Sequence, residues 1–331
     1  MHEEYEDKFV AYVDILGFSE LVRKSETGGD DAPTVRRILQ LTKMLDRPNQ
    51  REHFAEHGPV TCPCAPYREK NLNYRVKQIS DCVVISAEIS PAGLINLVQH
   101  CFGISIALLR AGHLYRGYVA RGGVFHIDTQ VFGPGYLRAC EGEKRVSIFQ
   151  TGDADRGTPF IAIDPDVCRY VREQPDTCVA TMFGRMTETD GHSTAISPFQ
   201  VLKRLPEAIF EKDSDVLRWR ADVQVMREAM SRLLMLLGKA EDDASPSGRA
   251  KIQHYKHKIR EVLAAKDRDE HMLDVLFRPD LGRNASDAFI PVSGVRGEPR
   301  ALPPAGGLAP APDPNERRAK REPVRGKAAL F

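Results

Sequence analysis

Neither sign of charge dominates this sequence. Its 331 residues carry 47 Lys/Arg against 46 Asp/Glu and a net charge of +1. No whole-chain field draws it to nucleic acid or anionic lipid. Long apolar runs are lacking as well, so no bilayer-spanning segment is expected. The start, Met1-His2-Glu3-Glu4-Tyr5-Glu6-Asp7-Lys8, is acidic and polar, unlike a signal peptide. Cysteine is sparse and odd in number, seven in all. Scattered through core-like segments, these read as reduced thiols of a cytoplasmic protein. Cys62-Pro63-Cys64 lies near His53 and His57. It lacks the spacing and the second cysteine pair of a structural zinc site, and reads as a thiol-bearing loop.

What remains is an ordinary globular composition, 42% apolar and 28% charged. The chain suffices for one large or two modest domains. Its charge is uneven: from Gly294 onward 8 Lys/Arg meet 4 Asp/Glu, so this end carries +4 and the rest −3. Residues 292–331 are rich in Pro, Gly, Ala and Arg and are expected to be disordered, because little apolar area offsets the ordering entropy.

The chain is organised around Phe9 to Ser19. An apolar strand of roughly Lys8 to Ile15 carries one carboxylate, Asp14. It turns at Gly17 into a helix that Ser19 is placed to cap. A carboxylate beside the N–H groups of a helix start suits a cation carrying phosphates. Helical pattern resumes near Thr34 to Leu45, and residues 47–73 read as a long surface loop. Two apolar runs, Tyr74 to Ile79 and Cys82 to Glu88, then flank Ser80 and Asp81. This is a hairpin with a carboxylate at its tip. Pro91 opens a helix that runs to Gly112. A β-like stretch from Leu114 to Phe132 is interrupted by Gly122-Gly123. Gly133-Pro134-Gly135 leads into a short helix to about Arg145, and Pro159 to Asp164 forms another strand.

This β-α-β-β-α-β order predicts an α+β fold. The expected core is a split βαβ, ferredoxin-like or palm arrangement over 8–164, with helices on one face of an antiparallel sheet. In that arrangement the strands of Asp14 and Asp81 are neighbours. Two convergent carboxylates suit two divalent cations about 4 Å apart, the clamp used for phosphoryl displacement. The domain should end near 205. A helical extension follows over 206–291, with Val216, Trp219, Val223, Met226, Met230, Leu233 and Leu237 at heptad spacing. Asp213 or Ser214 serves as its N-cap and Gly238 as its stop. A second helix carries Ile252, Tyr255, Ile259 and Leu263. The pair fits equally a packing role on its own domain and a dimer-forming role.

Four segments carry a resemblance. They are Tyr12-Val13-Asp14-Ile15-Leu16-Gly17-Phe18-Ser19, Lys77-Gln78-Ile79-Ser80-Asp81, Arg121-Gly122-Gly123-Val124 and the run Phe132 to Glu143. In this order they resemble the motifs of class III nucleotidyl cyclases, most closely the pyrimidine cyclases of Pycsar anti-phage systems. The resemblance covers roughly Lys8 to Asp164. It implies that Asp14, Asp81 and the Ile15 carbonyl hold two Mn²⁺ or Mg²⁺. It also implies that N–H groups from Ile15 through Leu16 and Gly17 to Phe18 cradle the β- and γ-phosphates. The ribose 3′-OH then attacks the α-phosphorus and expels diphosphate. A head-to-tail homodimer with shared sites is implied, with a product that acts on a separate effector protein.

The two family positions that read the base fall on Lys77 and Gln130. Lysine only donates, whereas glutamine can accept. Uracil offers O4 to Lys77 and N3–H to Gln130; cytosine would turn its N4 donor toward the lysine. A buried mismatch of this kind is strongly rejected. UTP is therefore the expected substrate and cyclic UMP the product, with CTP and cyclic CMP the alternative. The family's transition-state Asn and Arg fall on Leu137 and Glu141, which cannot serve. Arg138, Arg121 or Lys144 is then the expected replacement cation. A non-catalytic nucleotide-binding regulator is the reading from another class. A polymerase fragment is disfavoured because its template groove would be basic. Glu143 and Arg145 are expected to form a local ion pair, and His126, near Asp128, to be a satisfied structural histidine.

Overall fold

The computed structural model describes residues 4–28, 32–46, 71–150, 158–200, 213–242 and 244–276. Of the expected surface loop over 47–73, residues 47–70, with His53, His57, Cys62 and Cys64, lie outside them, while Leu72 is buried; the expected disordered end also lies outside them. The fold is α+β, and the described residues belong to one compact unit, Met1–Phe277.

Strand β1 (Glu6–Ile15) is followed by helices α1 (Phe18–Thr27) and α2 (Val35–Asp46), then by the hairpin β2 (Arg75–Ile79) and β3 (Cys82–Glu88). Helix α3 (Pro91–Arg110) leads to β4 (Tyr115–His126), β5 (Val131–Phe132), α4 (Pro134–Lys144) and β6 (Ile161–Ile163). Then come α5 (Pro165–Arg172), α6 (Thr177–Gly184), β7 (Thr187–Thr189), β8 (Thr194–Ile196), α7 (Asp213–Asp242) and α8 (Pro246–Leu276). The sheet order is β2-β3-β1-β4-β6-β8-β7, with β5 paired to β4. β1 is antiparallel to both β3 and β4, which is the order two interleaved βαβ units give. β6 returns parallel to β4.

Alternation along β1 divides its side chains between two cores. Phe9, Ala11, Val13 and Ile15 join a large core with α2, α3, α7 and α8, while Val10 joins a small one with Val84, Ala120, Val124 and Ala139. Ala139 belongs to α4. The helices therefore do not share one face, as the sequence pattern suggested: α4 covers the opposite side of β1 and β4. Helix α3 is the one described helix long and apolar enough to cross a membrane, contrary to the sequence expectation, and 67% of its apolar window is buried in this core. Apolar content on all sides is what a central helix needs. Its N-cap, Ser90, accepts from the Gly93 N–H at 3.0 Å.

Glycines expected to break structure instead permit close packing. Gly122 and Gly123 lie within β4 rather than interrupting it. A Cβ on Gly135 would fall 2.8 Å from the Gly122 carbonyl oxygen, and one on Gly142 would fall 2.4 Å from the Tyr118 ring. Helix α4 thus lies backbone-to-backbone on β4. Gly142→Ala is expected to lower stability by about 1–3 kcal/mol through overpacking, read as a shift of the urea midpoint. Gly238, expected to stop a helix, lies inside α7, where tertiary packing outweighs its propensity. Val223, Met226, Met230, Leu233 and Leu237 of α7 and Ile252, Tyr255 and Ile259 of α8 are buried in the large core. The Tyr255 hydroxyl meets that of Tyr115 on β4 at 3.1 Å.

Candidate active site

Asp14 ends β1 on the face opposite the large core, one residue before the chain leaves the sheet. Asp81 occupies the tip of the β2–β3 hairpin, where Ser80 adopts a left-handed φ of 55°. The tip is tied to β1 by the Ile15 N–H, which donates to the Asp81 carbonyl at 3.1 Å. Asp14 itself stands opposite Cys82 on β3 and Arg116 on β4. Burial, then the charges of Asp81 and Glu143, push the Asp14 carboxyl up to about 7, against the pull of Arg116. The two predicted carboxylates are therefore close enough to repel. Beside them the Cys82 thiol donates to the Ile79 carbonyl at 3.1 Å, and burial pushes its pKa up to about 11. That thiol is protonated at neutral pH and no nucleophile.

The predicted phosphate cradle is narrower than expected. Both the Ile15 and the Leu16 N–H groups are spent on the backbone, the latter on the Leu114 carbonyl at 3.0 Å. Strand continuation and sheet closure claim them before a ligand can. Gly17, with φ 78°, is the N-cap of α1, and Ser19 lies inside the helix rather than capping it. No side chain caps this helix, and among the described residues the N–H groups of Gly17, Phe18 and Ser19 meet no backbone acceptor. Those three groups are what the helix start offers an anion.

Lys77 pairs with Val84 on β3, which in turn faces Tyr12, so Lys77 shares the Asp14 side of the sheet. Two strand spacings and two residues put their Cα atoms about 12 Å apart. The Lys77 ammonium donates to the Asp128 carbonyl at 2.6 Å. The same turn is closed by the Ile127 N–H donating to the Gln130 carbonyl at 2.9 Å, so both base-reading candidates lie at one place. His126 is buried close by. Its Nδ1 meets the Ser86 hydroxyl at 2.8 Å, and Nε2 has no partner among the described residues. Burial, aided by Lys8, holds its pKa down to about 4, which keeps it neutral.

No protein-family model and no curated protein matches the chain.

The candidate cations on and near α4 all have partners or stand apart. Arg138 spans Asp164 and Asp166 at 2.9 and 2.8 Å. Arg121 holds Asp7 at 2.8 Å, and Lys144 is exposed. None of these is brought to Asp14 within the chain. Arg138→Ala removes the cation from a carboxylate, Asp164, that is only 4% exposed. A loss of about 1–3 kcal/mol is expected in urea denaturation, because the Tyr118 hydroxyl at 3.1 Å remains as a donor. Glu143 and Arg145 do not pair with each other: Arg145 reaches Glu141 at 3.4 Å, and buried Glu143 pairs with Arg116.

Arg116 and Lys251 escaped the sequence reading. Arg116 lies directly across from Asp14 and lowers its pKa. Lys251 of α8 is held below the usual lysine range by burial and then by the Arg116 charge. No motif marks either residue. Register identifies Arg116, and tertiary packing alone brings in Lys251.

The carboxylate pair fits a divalent cation. Two partly buried acids that repel one another, one of them held up to about 7, gain from a positive ion between them. Among the described residues no group of three or more His, Cys, Asp or Glu is placed to hold a metal ion. A cation held here would have two carboxylates and would need water and ligand oxygens to complete its shell.

Proposed function

We propose that the protein is a nucleotidyl cyclase of the class III kind that converts UTP to 3′,5′-cyclic UMP and diphosphate. In this reading the first six strands and their helices form the palm-type cyclase core, and Mn²⁺ or Mg²⁺ ions are its cofactors. The observation that carries the reading is the meeting of Asp14 and Asp81 at one sheet edge, beside the uncapped start of α1. Asp14 and Asp81, with the Ile15 carbonyl, would hold the cations. When bound, these supply the positive charge that acidifies the ribose 3′-OH and stabilises the α-phosphate in displacement. The Gly17, Phe18 and Ser19 N–H groups orient the terminal phosphates. Lys77 donates to O4 of uracil and the Gln130 amide accepts from N3–H. A cytosine in the same place leaves Lys77 facing a donor, which supports UTP over CTP.

By the same resemblance the working unit is a homodimer with shared sites, and its product acts on a separate effector in anti-phage defence. Purified protein incubated with Mn²⁺ and each NTP separately, with products resolved by mass, tests the reaction. Cyclic UMP from UTP is expected, and it should be absent with Asp14→Ala or Asp81→Ala. Product from CTP alone would overturn the base assignment. Nucleotide binding without any product would favour the non-catalytic regulator. In such a dimer each site takes Asp14 from one protomer and Lys77 from its partner, so mixing inactive Asp14→Ala with inactive Lys77→Ala should restore part of the activity through the one hybrid site that keeps both native residues.

A further inference from the structure

A cleft of mixed polar and apolar lining lies on the Asp14 side of the sheet, between α4, β6 and α5. It encloses about 530 Å³. Ala162 of β6 forms its floor; Arg138 of α4, Arg145, Arg172 of α5, and His192 and Ser193 of the β7–β8 turn form its walls. Its floor, Ala162, lies two strand spacings and two residue rises from Asp14, about 12 Å, and its far end lies further away. Ile163 pairs with Val119, whereas Asp14 pairs with Arg116 three residues earlier on β4. Asp164 is therefore about 16 Å from Asp14, counting two strand spacings and four residue rises.

The cleft is cationic by construction. Three arginines line it against one carboxylate, Asp164, which Arg138 already neutralises. Arg172 is exposed and forms no ion pair among the described residues, while Arg145 has only a long contact to Glu141 at 3.4 Å. The rim is held in place. One Asp190 carboxylate oxygen accepts from the His192 and Ser193 N–H groups at 2.9 and 2.8 Å, and the other accepts from the Phe149 N–H at 3.0 Å. That carboxylate joins the β7–β8 turn to the segment carrying Arg145, so the two walls keep their spacing. Ser147 and Ser193 line the cleft beside the arginines, and guanidinium forks suit the planar bidentate geometry of phosphate oxygens. The volume falls within the range of small-molecule sites and exceeds what a bare ion needs.

We infer that this cleft binds a phosphorylated small molecule of nucleotide size through Arg145 and Arg172. The site is separate from the carboxylate pair and needs no metal. The inference does not depend on the cyclase reading, because binding is measured without metal and without turnover.

The test titrates the full chain in EDTA by calorimetry with UMP and, separately, with inorganic pyrophosphate. One saturable site is expected for at least one of the two probes, and the tighter probe tells whether the nucleoside contributes. Asp14→Ala should bind equally well. The Arg145→Ala/Arg172→Ala double variant alters exposed side chains only, and its unchanged melting temperature would show an intact fold. Its affinity should fall by about tenfold or more, as loss of charge-assisted hydrogen bonds does elsewhere. Absence of saturable binding by the native chain, or equal binding by the double variant, overturns the inference. A chain that makes cyclic UMP yet fails this titration would separate the two proposals, as would one that binds UMP in EDTA yet turns over no NTP.

Discussion

Asp14→Asn is expected to abolish nucleotide turnover while stabilising the metal-free protein above pH 7. The two effects have one cause. Asp14 is driven up to about 7 by burial and by the charges of Asp81 and Glu143, from 3.8 in an ordinary aspartate. Between those values the folded chain holds a proton that the unfolded chain has released. Folding stability from this group is therefore fully present below about pH 4, falls as pH rises through the window, and is lost above pH 7. Because Asp14 is only partly buried, solvent screening reduces the loss to roughly 1–2 kcal/mol. Asparagine carries no charge at any pH and removes the penalty. Denaturant midpoints at pH 5 and pH 8 in EDTA should converge in the variant and differ in the native chain. Turnover should drop by about 10³-fold or more, since the cation loses a charged ligand worth several kcal/mol. For the native chain, apparent Mn²⁺ affinity should rise with pH through 7, because the proton must leave before the ion binds. A midpoint that does not change with pH would remove Asp14 as the strained group. An active Asp14→Asn would remove it as a ligand.

Arg116→Ala is expected to cost about 3–5 kcal/mol of stability, the largest effect of any single change considered. Glu143 is 5% exposed as a side chain and Arg116 16%, so removing the arginine leaves a buried carboxylate without its cation. That carboxylate and Asp81 both raise the Asp14 pKa, and Arg116 opposes them. Its loss should push the proton on Asp14 to higher pH and weaken Mn²⁺ binding at neutral pH. The companion variant Arg116→Met/Glu143→Leu tests whether the charge or the packing is responsible. Replacing both partners with apolar groups of similar volume should recover most of the stability, because the pair's desolvation penalty disappears with it. A single variant as stable as the native chain would show that Glu143 finds another cation. Lys251 of α8 is the nearest candidate. The measurement is urea denaturation of all three proteins, with Mn²⁺ titration of those that fold.

Much of this architecture was legible because local chemistry and tertiary packing agree. The Ser80-Asp81 turn between two apolar runs predicts the β2–β3 hairpin, and the hairpin appears at Arg75–Ile79 and Cys82–Glu88. Pro91 predicts the start of α3 by the geometry of the first helical turn, and the structure adds Ser90 as its N-cap. Alternation along β1 is set by the pleat, so the Asp14 side follows from the apolar positions of Phe9, Ala11 and Val13. Where sequence and structure part, a distant contact decides. Gly122 reads as a break because glycine is permissive; only the approach of Gly135 shows that it provides room for α4. Leu16 reads as part of a phosphate cradle until Leu114 takes its N–H.

The sequence by itself determined the order of the main strands and helices from β1 to β6, the placement of Asp14 and Asp81 at element ends, and the amphipathic pattern of α7 and α8. These follow from spacing and turn chemistry, which act over a few residues. Tertiary structure alone decided that α4 lies across the sheet from α3, that Arg138 is taken up by Asp164 and Asp166, and that Arg116 and Glu143 stand behind Asp14. It also decided that three arginines from α4, its following segment and α5 surround one cleft. Such pairings depend on sheet register and on which charges burial forces together. Both are long-range properties of the packed chain, and periodicity carries no record of them.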